Sequence, residues 1–233
     1  MIRNYEDFKK ALFAAGFSMS GGNSDGIYAV IPWGWNEVPP YDTPVCWHTG
    51  DPDTDPWEWC VRVLDEGGSI AYAKLFFKKG GFLTKDWYSH FLAVRRGGMT
   101  FEDAYAEGEI SHFAKRIYEL VISNGRLPRH TIRTLGGFSK ADNSAFDRAL
   151  IELQMKMYLT ICGRQQKLSQ MGVEYGWSSM VFCAVESYFG ADVFEKAGGM
   201  CADDAYGRIR EQILKLNPLA EEKQMSKFIL GMR

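Results

Sequence analysis

The residues best suited to chemistry lie in the acidic, tryptophan-rich segment from Glu37 to Glu66. One histidine and two carboxylates in it could orient a water molecule, and these candidate catalytic residues are His48, Asp51 and Asp55. Neighbouring aromatic side chains could stack a base and form the wall of a pocket, and these are Trp47, Trp57 and Trp59. The residue types therefore allow a pocket for an unstacked nucleobase.

The same segment also has a purely structural interpretation. Aspartates often accept hydrogen bonds from turn amides, and Asp-Pro-Trp is typical of a turn that is followed by a core anchor. The run from Asp51 to Asp55 resembles the start of a calcium loop, but Pro56 and Arg62 stand where such a loop needs glycine and glutamate. We therefore expect Asp55 to cap a turn, and we predict no metal and no cofactor.

A basic segment is the second feature with a chemical meaning. Residues 111–170 contain ten Lys or Arg against four Asp or Glu, a net charge of +6, whereas the whole chain carries −2. A local excess of cations is typical of a phosphate-binding face, although ordinary solvated surface cations produce the same pattern. The predicted DNA-binding side chains are Arg129, Arg133, Arg148, Arg164 and Lys167.

The helices needed to position these cations are indicated by caps and apolar spacing. Ser111 begins a first helix that Asn124-Gly125 ends, and a second helix runs from Pro128 to Gly136-Gly137. A third helix has candidate N-caps at Ser139 and Ser144, followed by an apolar stripe. We expect two strands after it, Tyr158 to Cys162 and Met180 to Tyr188, separated by a polar loop. Three helices and a two-stranded wing describe a winged helix.

The outward face of the third helix is not typical of a recognition helix that enters the major groove. With the apolar stripe on the core, this face carries Ser144, Arg148, Ile151, Glu152 and Met155. Only one of the five is a cation, and apolar side chains are unusual in a major groove. An alternative is that the helix packs against the N-terminal part, while the other basic positions contact the phosphate backbone without sequence preference.

The rest of the chain mixes helices and strands. We predict helices after the caps Asn4, Thr84 and Thr100, a strand over Ile27 to Ile31, irregular chain from Pro32 to Pro56, a hairpin around Gly80-Gly81, and C-terminal helices near residues 203–216 and 220–230. The predicted fold is α+β, a winged-helix module embedded in a mostly helical chain. Its predicted parts are 1–110, which is α+β, the winged-helix domain 111–190, and C-terminal helices 191–233 that pack on the rest.

Composition excludes several classes of protein. Five widely spaced cysteines without a CxxC motif disfavour a disulfide framework or a zinc site, and favour a reducing compartment. The N-terminus has no apolar signal region, and no run of about 18 apolar residues follows. We therefore expect a cytoplasmic protein without a membrane partner, whose oligomeric state the sequence leaves open.

Several short motifs together resemble a known family. They are Trp47-His48-Thr-Gly-Asp51, Asp55-Pro-Trp57-x-Trp59, Ala71-Tyr-x-Lys74, Gly81-Phe-x-x-x-x-Trp87-Tyr88 and Ala93-x-Arg95-Arg96. These motifs resemble the bacterial AlkZ-related proteins, compact relatives of the AlkZ-type winged-helix DNA glycosylases, and the resemblance covers nearly the whole chain. It implies a cytoplasmic bacterial protein that is built around winged-helix elements, with DNA as its partner.

The catalytic motif of the larger enzymes does not carry over. AlkZ-type glycosylases use Gln-x-Gln or Gln-x-Asp to position the attacking water, and none of the six glutamines in this sequence begins either pattern. The leading interpretation is a winged-helix DNA-binding protein that is linked to DNA repair. One alternative is a glycosylase that uses another carboxylate, near Trp57 and Trp59. A second alternative is a non-enzymatic regulatory or protein-interaction protein.

Overall fold

A computed structural model describes residues 1–168 and 171–231, and it has the α+β architecture that the sequence predicts. The described helices are α1 Tyr5–Ala15, α2 Pro56–Asp65, α3 Lys85–Arg96, α4 Phe101–Ala106, α5 His112–Asn124, α6 Arg129–Leu135, α7 Asn143–Met155, α8 Val185–Phe189, α9 Ala191–Gly198, α10 Ala202–Leu216 and α11 Glu222–Leu230. The described strands are β1 Phe17–Met19, β2 Ile70–Phe76, β3 Lys79–Thr84, β4 Arg126–Pro128, β5 Leu159–Leu168 and β6 Glu174–Ala184.

One antiparallel sheet runs through most of the molecule. Its described strands lie in the order β1-β3-β2-β5-β6-β4, so an N-terminal half and the hairpin β5–β6 share the same sheet. The junction is the pairing of Tyr72 on β2 with Ile161 on β5. The proposed boundary at residue 110 is therefore crossed by strand pairing, and the division into three parts stays a prediction.

Two hydrophobic clusters fill the space on the sheet and between the helices. One joins N-terminal residues such as Trp59 to the apolar faces of α5 and α7. The other lies around α3, against which α9, α10 and α11 pack. The C-terminal helices thus pack on the N-terminal part of the chain.

Three predicted side-chain caps are confirmed, whereas Thr84 precedes α3 without capping it, because its hydroxyl donates to the Gly16 carbonyl at 3.1 Å. The Asn4 side chain accepts a hydrogen bond from the Asp7 amide at the start of α1. Thr100 and Asp103 form a reciprocal capping box at the start of α4. Ser111 likewise accepts from the Ala114 amide at the start of α5.

The predicted hairpin exists, but its turn lies elsewhere. Phe77 and Lys78 form the turn with positive φ angles of 50° and 62°, and Gly80-Gly81 lie inside β3. A Cβ atom on Gly80 would lie 2.8 Å from the Tyr72 hydroxyl, and one on Gly81 would lie 2.5 Å from the Phe76 ring. The two glycines therefore make room for side chains of β2, which is why the prediction of a glycine turn was wrong.

The prediction of a strand over Ile27 to Ile31 was also wrong. This segment runs beside β1 and is tied to it by the Met19 amide, which donates to the Tyr28 carbonyl at 2.9 Å. The next contact is made by a side chain, because the Val30 amide donates to the hydroxyl of Ser18 at 2.9 Å. A regular backbone ladder is thereby interrupted.

Helix α2 was missed by the sequence analysis, which treated the whole acidic segment as a loop. Asp55 is its N-cap and Pro56 its first residue, a combination that favours helix initiation. Its inward face carries Trp59, Cys60, Val63 and Leu64, all buried. The Asp-Pro step was therefore a helix start as well as a turn.

The described part of residues 111–184 contains three helices, two long strands and one short strand, β4, which pairs with β6. The hairpin is longer than predicted, since β5 and β6 continue through most of the expected polar loop, and residues 185–189 are helix α8 instead of strand. Neither proposed serine caps α7. The Ser139 hydroxyl and amide both bind Asp142 at 2.8 Å in the turn before it, and Ser144 lies inside the helix.

Candidate nucleic-acid interface

The sheet places the start of α6 beside the basic part of the hairpin. Pro128 on β4 and Gly163 on β5 both pair with Val181 on β6. Since both outer strands run antiparallel to β6, they run in the same direction. Arg129 therefore follows Pro128 towards the side where Arg164 follows Gly163, and two basic segments far apart in sequence become neighbours.

A histidine that the sequence analysis did not select also lies at this place. Partial burial lowers the pKa of His130 on α6, and the charge of Lys167 on β5 lowers it further. The Nδ1 atom of His130 is buried and has no hydrogen-bond partner among the described residues. An effect of Lys167 on the pKa of His130 is expected if the start of α6 lies near the C-terminal part of β5.

Two of the predicted cations already have carboxylate partners. Arg129 forms an ion pair with Asp147 on α7, and Arg164 forms one with Glu58 on α2 at 3.3 Å. These side chains are 25–49% exposed. Pairs of this exposure contribute little to stability, about 0–1 kcal/mol, so either arginine can exchange its carboxylate for a phosphate at small cost.

Arg133 is held by backbone carbonyls. Its guanidinium donates to the Ser139 carbonyl at 2.9 Å and lies 5.7 Å from the centroid of the Phe146 ring. Carbonyl contacts fix its direction, and among the described residues it forms no ion pair with a carboxylate within 4 Å. Arg133 is therefore an oriented cation at the end of α6.

Lys167 and Arg148 have no carboxylate within 4 Å among the described residues. Lys167 lies on β5 with the other hairpin cation, but Arg148 lies apart from them, on the exposed face of α7 in a separate cleft. The structure thus brings four predicted cations to α6 and the hairpin, and places the fifth elsewhere.

The opposite face of α7 is buried against the N-terminal part of the sheet. The Gln154 side chain is 2% exposed, and its carbonyl oxygen accepts from the Lys74 amide on β2 at 3.0 Å. Its amide nitrogen donates to the Leu150 carbonyl. Since Gln154 is used to join α7 to β2, this part of the helix is unavailable for reading a DNA groove.

Asp55, a candidate catalytic residue, is surrounded by backbone amides. Its Oδ1 accepts from His48 at 3.0 Å and from Trp57 at 2.8 Å, while Oδ2 accepts from Gly50 at 2.9 Å. The residue is 1% exposed. With three backbone donors and almost no solvent access, this carboxylate is arranged to hold the loop and to cap α2.

Asp51 and His48 lie on the surface of the same loop. The Asp53 amide and then the Thr54 hydroxyl donate to the Asp51 carboxylate and hold its pKa below the usual value. His48 is exposed, has a positive φ of 61°, and lies 5.7 Å from the Trp57 ring. Neither residue lines the cleft on α7 that contains Arg148.

The three tryptophans do not form one pocket wall. Trp59 is fully buried, stacked 5.0 Å from Phe8, and Trp47 donates its ring N–H to the Trp33 carbonyl at 3.1 Å. Trp57 is 44% exposed at the surface beside His48. Two of them anchor the loop, and only Trp57 presents an accessible aromatic surface.

Within residues 1–168 and 171–231, no three His, Cys, Asp or Glu side chains form a group that could hold a metal ion. In the same residues, no helix is both long and apolar enough to span a membrane.

Comparison with known proteins identifies the family and little else. No curated protein and no solved structure matches the chain. The model of the family described as AlkZ related matches residues 2–230, which is nearly the whole chain. The protein therefore belongs to the AlkZ-related family, as the motifs in its sequence indicated.

Proposed function

We propose that residues 111–190 form a winged-helix domain that binds the phosphate backbone of DNA without sequence preference, in a role linked to DNA repair. The order α5–β4–α6–α7–β5–β6, with β4 paired to β6, is consistent with this domain type. Membership of the AlkZ-related family relates the chain to AlkZ-type repair proteins and so favours DNA as the partner.

The observation that carries the proposal is the convergence of cations from α6 and the hairpin. Because β4 and β5 run in the same direction, Arg129 at the start of α6 and the hairpin cations Arg164 and Lys167 lie towards the same end of these strands. Arg133 follows Arg129 by one turn of α6. Phosphates attract such a group without contacts to base edges, so the binding has no sequence preference.

The base-excision alternative is not favoured by the loop that suggested it. Asp55 has its oxygens occupied by three amides, and Trp59 is in the core. The protein-interaction alternative makes a different prediction from DNA binding, because it requires no salt-dependent affinity for a duplex.

The test is a titration of a fluorescent DNA duplex by anisotropy at several salt concentrations. If the four cations each neutralise one phosphate, log K falls with log salt at a slope of about −3 to −4, since each contact contributes about −0.9. Arg133→Gln and Lys167→Gln should each flatten the slope by about one.

Lys223→Gln is the matched control, because Lys223 is an exposed cation on α11, outside the proposed domain. It should leave the slope unchanged. Absence of duplex binding at low salt would refute the proposal and favour the protein-interaction alternative. Slopes that do not change in the Arg133 and Lys167 variants would show that these cations do not contact phosphate.

A further inference from the structure

A cleft of about 330 Å³ lies on the exposed face of α7, away from the hairpin cations. Four α7 residues form one wall, and they are Arg148, Ile151, Glu152 and Met155. The other walls come from the β2–β3 turn through Lys78, from the chain before α5, and from Gly231 after α11. Its volume is at the small end of the roughly 300–1,000 Å³ found for small-molecule sites. A duplex would not enter it, but one nucleotide would.

The acids of this cleft already have partners. Glu109 forms an ion pair with Lys156 at 2.9 Å. The Glu152 carboxylate accepts from the Ser111 amide at 2.8 Å and from the Ser111 hydroxyl at 2.7 Å, at the start of α5. The positive end of that helix favours a carboxylate there. Glu109 is therefore paired with a cation, whereas Glu152 is stabilised by hydrogen bonds and keeps its negative charge in the cleft.

The two remaining cations of the cleft form no ion pair among the described residues. Lys78 and Arg148 are exposed, and neither has a carboxylate within 4 Å among the described residues. They approach the cleft from different elements, the β2–β3 turn and α7. Against the single charge of Glu152, these two cations leave the cleft with a net positive charge, which favours an anionic ligand such as a phosphate group.

The apolar residues of the wall complete the site. Ile151 is half-buried and Met155 is 5% exposed, and both lie on the same face of α7 as Arg148. Apolar side chains at these positions would be unusual if the face entered a major groove. Ile151 offers accessible apolar surface for a flat ring, and Met155 lies behind it as a buried part of the wall.

We propose that this cleft binds one nucleotide, with its phosphate on Lys78 and Arg148 and its base against Ile151, which Met155 supports from behind. The inference rests on the proposed DNA-binding function where it takes a DNA strand as the source of the nucleotide. The site itself is distinct from the hairpin cations. The nucleotide can come from a DNA strand, as an unpaired residue, or from free nucleotide.

The test uses the methyl groups of Ile151 and Met155 as NMR reporters in the full chain. Deoxyadenosine 5′-monophosphate should shift both methyl signals saturably, and deoxyadenosine without phosphate should bind at least about tenfold more weakly. Lys78→Gln and Arg148→Gln should each lower the affinity for the nucleotide about fivefold. Lys223→Gln, a change of an exposed cation that does not line the cleft, should leave the affinity unchanged.

Two duplexes distinguish the sources of the nucleotide. If a duplex with one unpaired adenosine shifts the methyl signals and a fully paired duplex does not, the site takes a nucleotide of DNA. If only the mononucleotide shifts them, the site takes free nucleotide. Absence of saturable shifts, equal affinity for deoxyadenosine, or unchanged affinity in both cleft variants would overturn the inference.

The result is separable from that of the proposed function. The salt-slope experiment depends on Arg133 and Lys167, which do not line this cleft. Duplex binding with normal slopes but without methyl shifts would refute only the nucleotide site. Methyl shifts with the mononucleotide in a protein that binds no duplex would refute only the backbone-binding function.

Discussion

Replacing Asp55 tests whether the acidic loop is a structural element or a catalytic one. In Asp55→Asn one oxygen remains, so the bonds from His48 and Trp57 can persist without a full charge. The new amide group then faces the Gly50 N–H, donor against donor. An unsatisfied donor costs about 1–3 kcal/mol when buried, and Gly50 itself is exposed enough for water to reduce that cost.

The expected loss of unfolding free energy is therefore about 1–2 kcal/mol for Asp55→Asn. Asp55→Ala removes all three acceptor bonds and the N-cap of α2, and should cost about 2–4 kcal/mol. For a chain of this length, 1 kcal/mol corresponds to about 2–4 °C in melting temperature. Urea unfolding followed by circular dichroism measures both variants.

Asp65→Asn is the control, because Asp65 is an exposed aspartate on the same helix. Its effect should stay within about 0.5 kcal/mol. An Asp55→Asn protein as stable as the wild type would refute the capping role. If that protein had also lost excision of a damaged base, the catalytic interpretation of the loop would replace it.

Three further outcomes follow from the packing and the charges. Gly81→Ala should destabilise the protein by about 1–3 kcal/mol, because the added Cβ would meet the Phe76 ring. Gly207→Ala should stabilise it by about 1 kcal/mol, because Gly207 lies in the middle of α10 and its added Cβ would have no atom within 4 Å. Thermal unfolding distinguishes the two variants. Arg95→Met should cost about 3 kcal/mol in urea unfolding, since the guanidinium donates to four carbonyls, those of Leu75, Met155, Phe228 and Ile229. Burial lowers the pKa of His130 below its ordinary 6.5, so the unfolded state binds more protons than the folded state at mildly acidic pH. The stability that neutral His130 allows is therefore complete above about pH 6.5 and should be lost as the pH falls through the lowered pKa. NMR titration of the His130 ring should show a midpoint below 6.5, and a midpoint above it would contradict the assignment.

Features that depend on residues close in sequence were predictable. The caps at Asn4, Thr100 and Ser111 each involve a partner three residues away, so the spacing alone indicates the hydrogen bond. The α+β class and the family were also predictable from the sequence, because both depend on many short patterns along the chain. Helix α2 was also predictable, since Asp55-Pro56 is a typical N-cap and first residue of a helix.

The hairpin turn was not predictable from residue preference. Phe77 and Lys78 take positive φ angles that side chains disfavour, while the glycines that suit a turn lie inside a strand. The reason is visible only in three dimensions, where Tyr72 and Phe76 need the space beside Gly80 and Gly81. Packing of the sheet thus outweighed the local preference.

By itself, the sequence determined which cations the protein has, but the partners of those cations depended on the tertiary structure. Arg164 pairs with Glu58, 106 residues away, and Arg129 pairs with Asp147 across two helices. Arg148 was separated from the other cations because α7 turns its buried face to β2 and its outer face to a cleft. Caps depend on residues that are a few positions apart in the chain. Ion pairs and clefts depend on how distant elements meet when the strands pair and the apolar faces are buried.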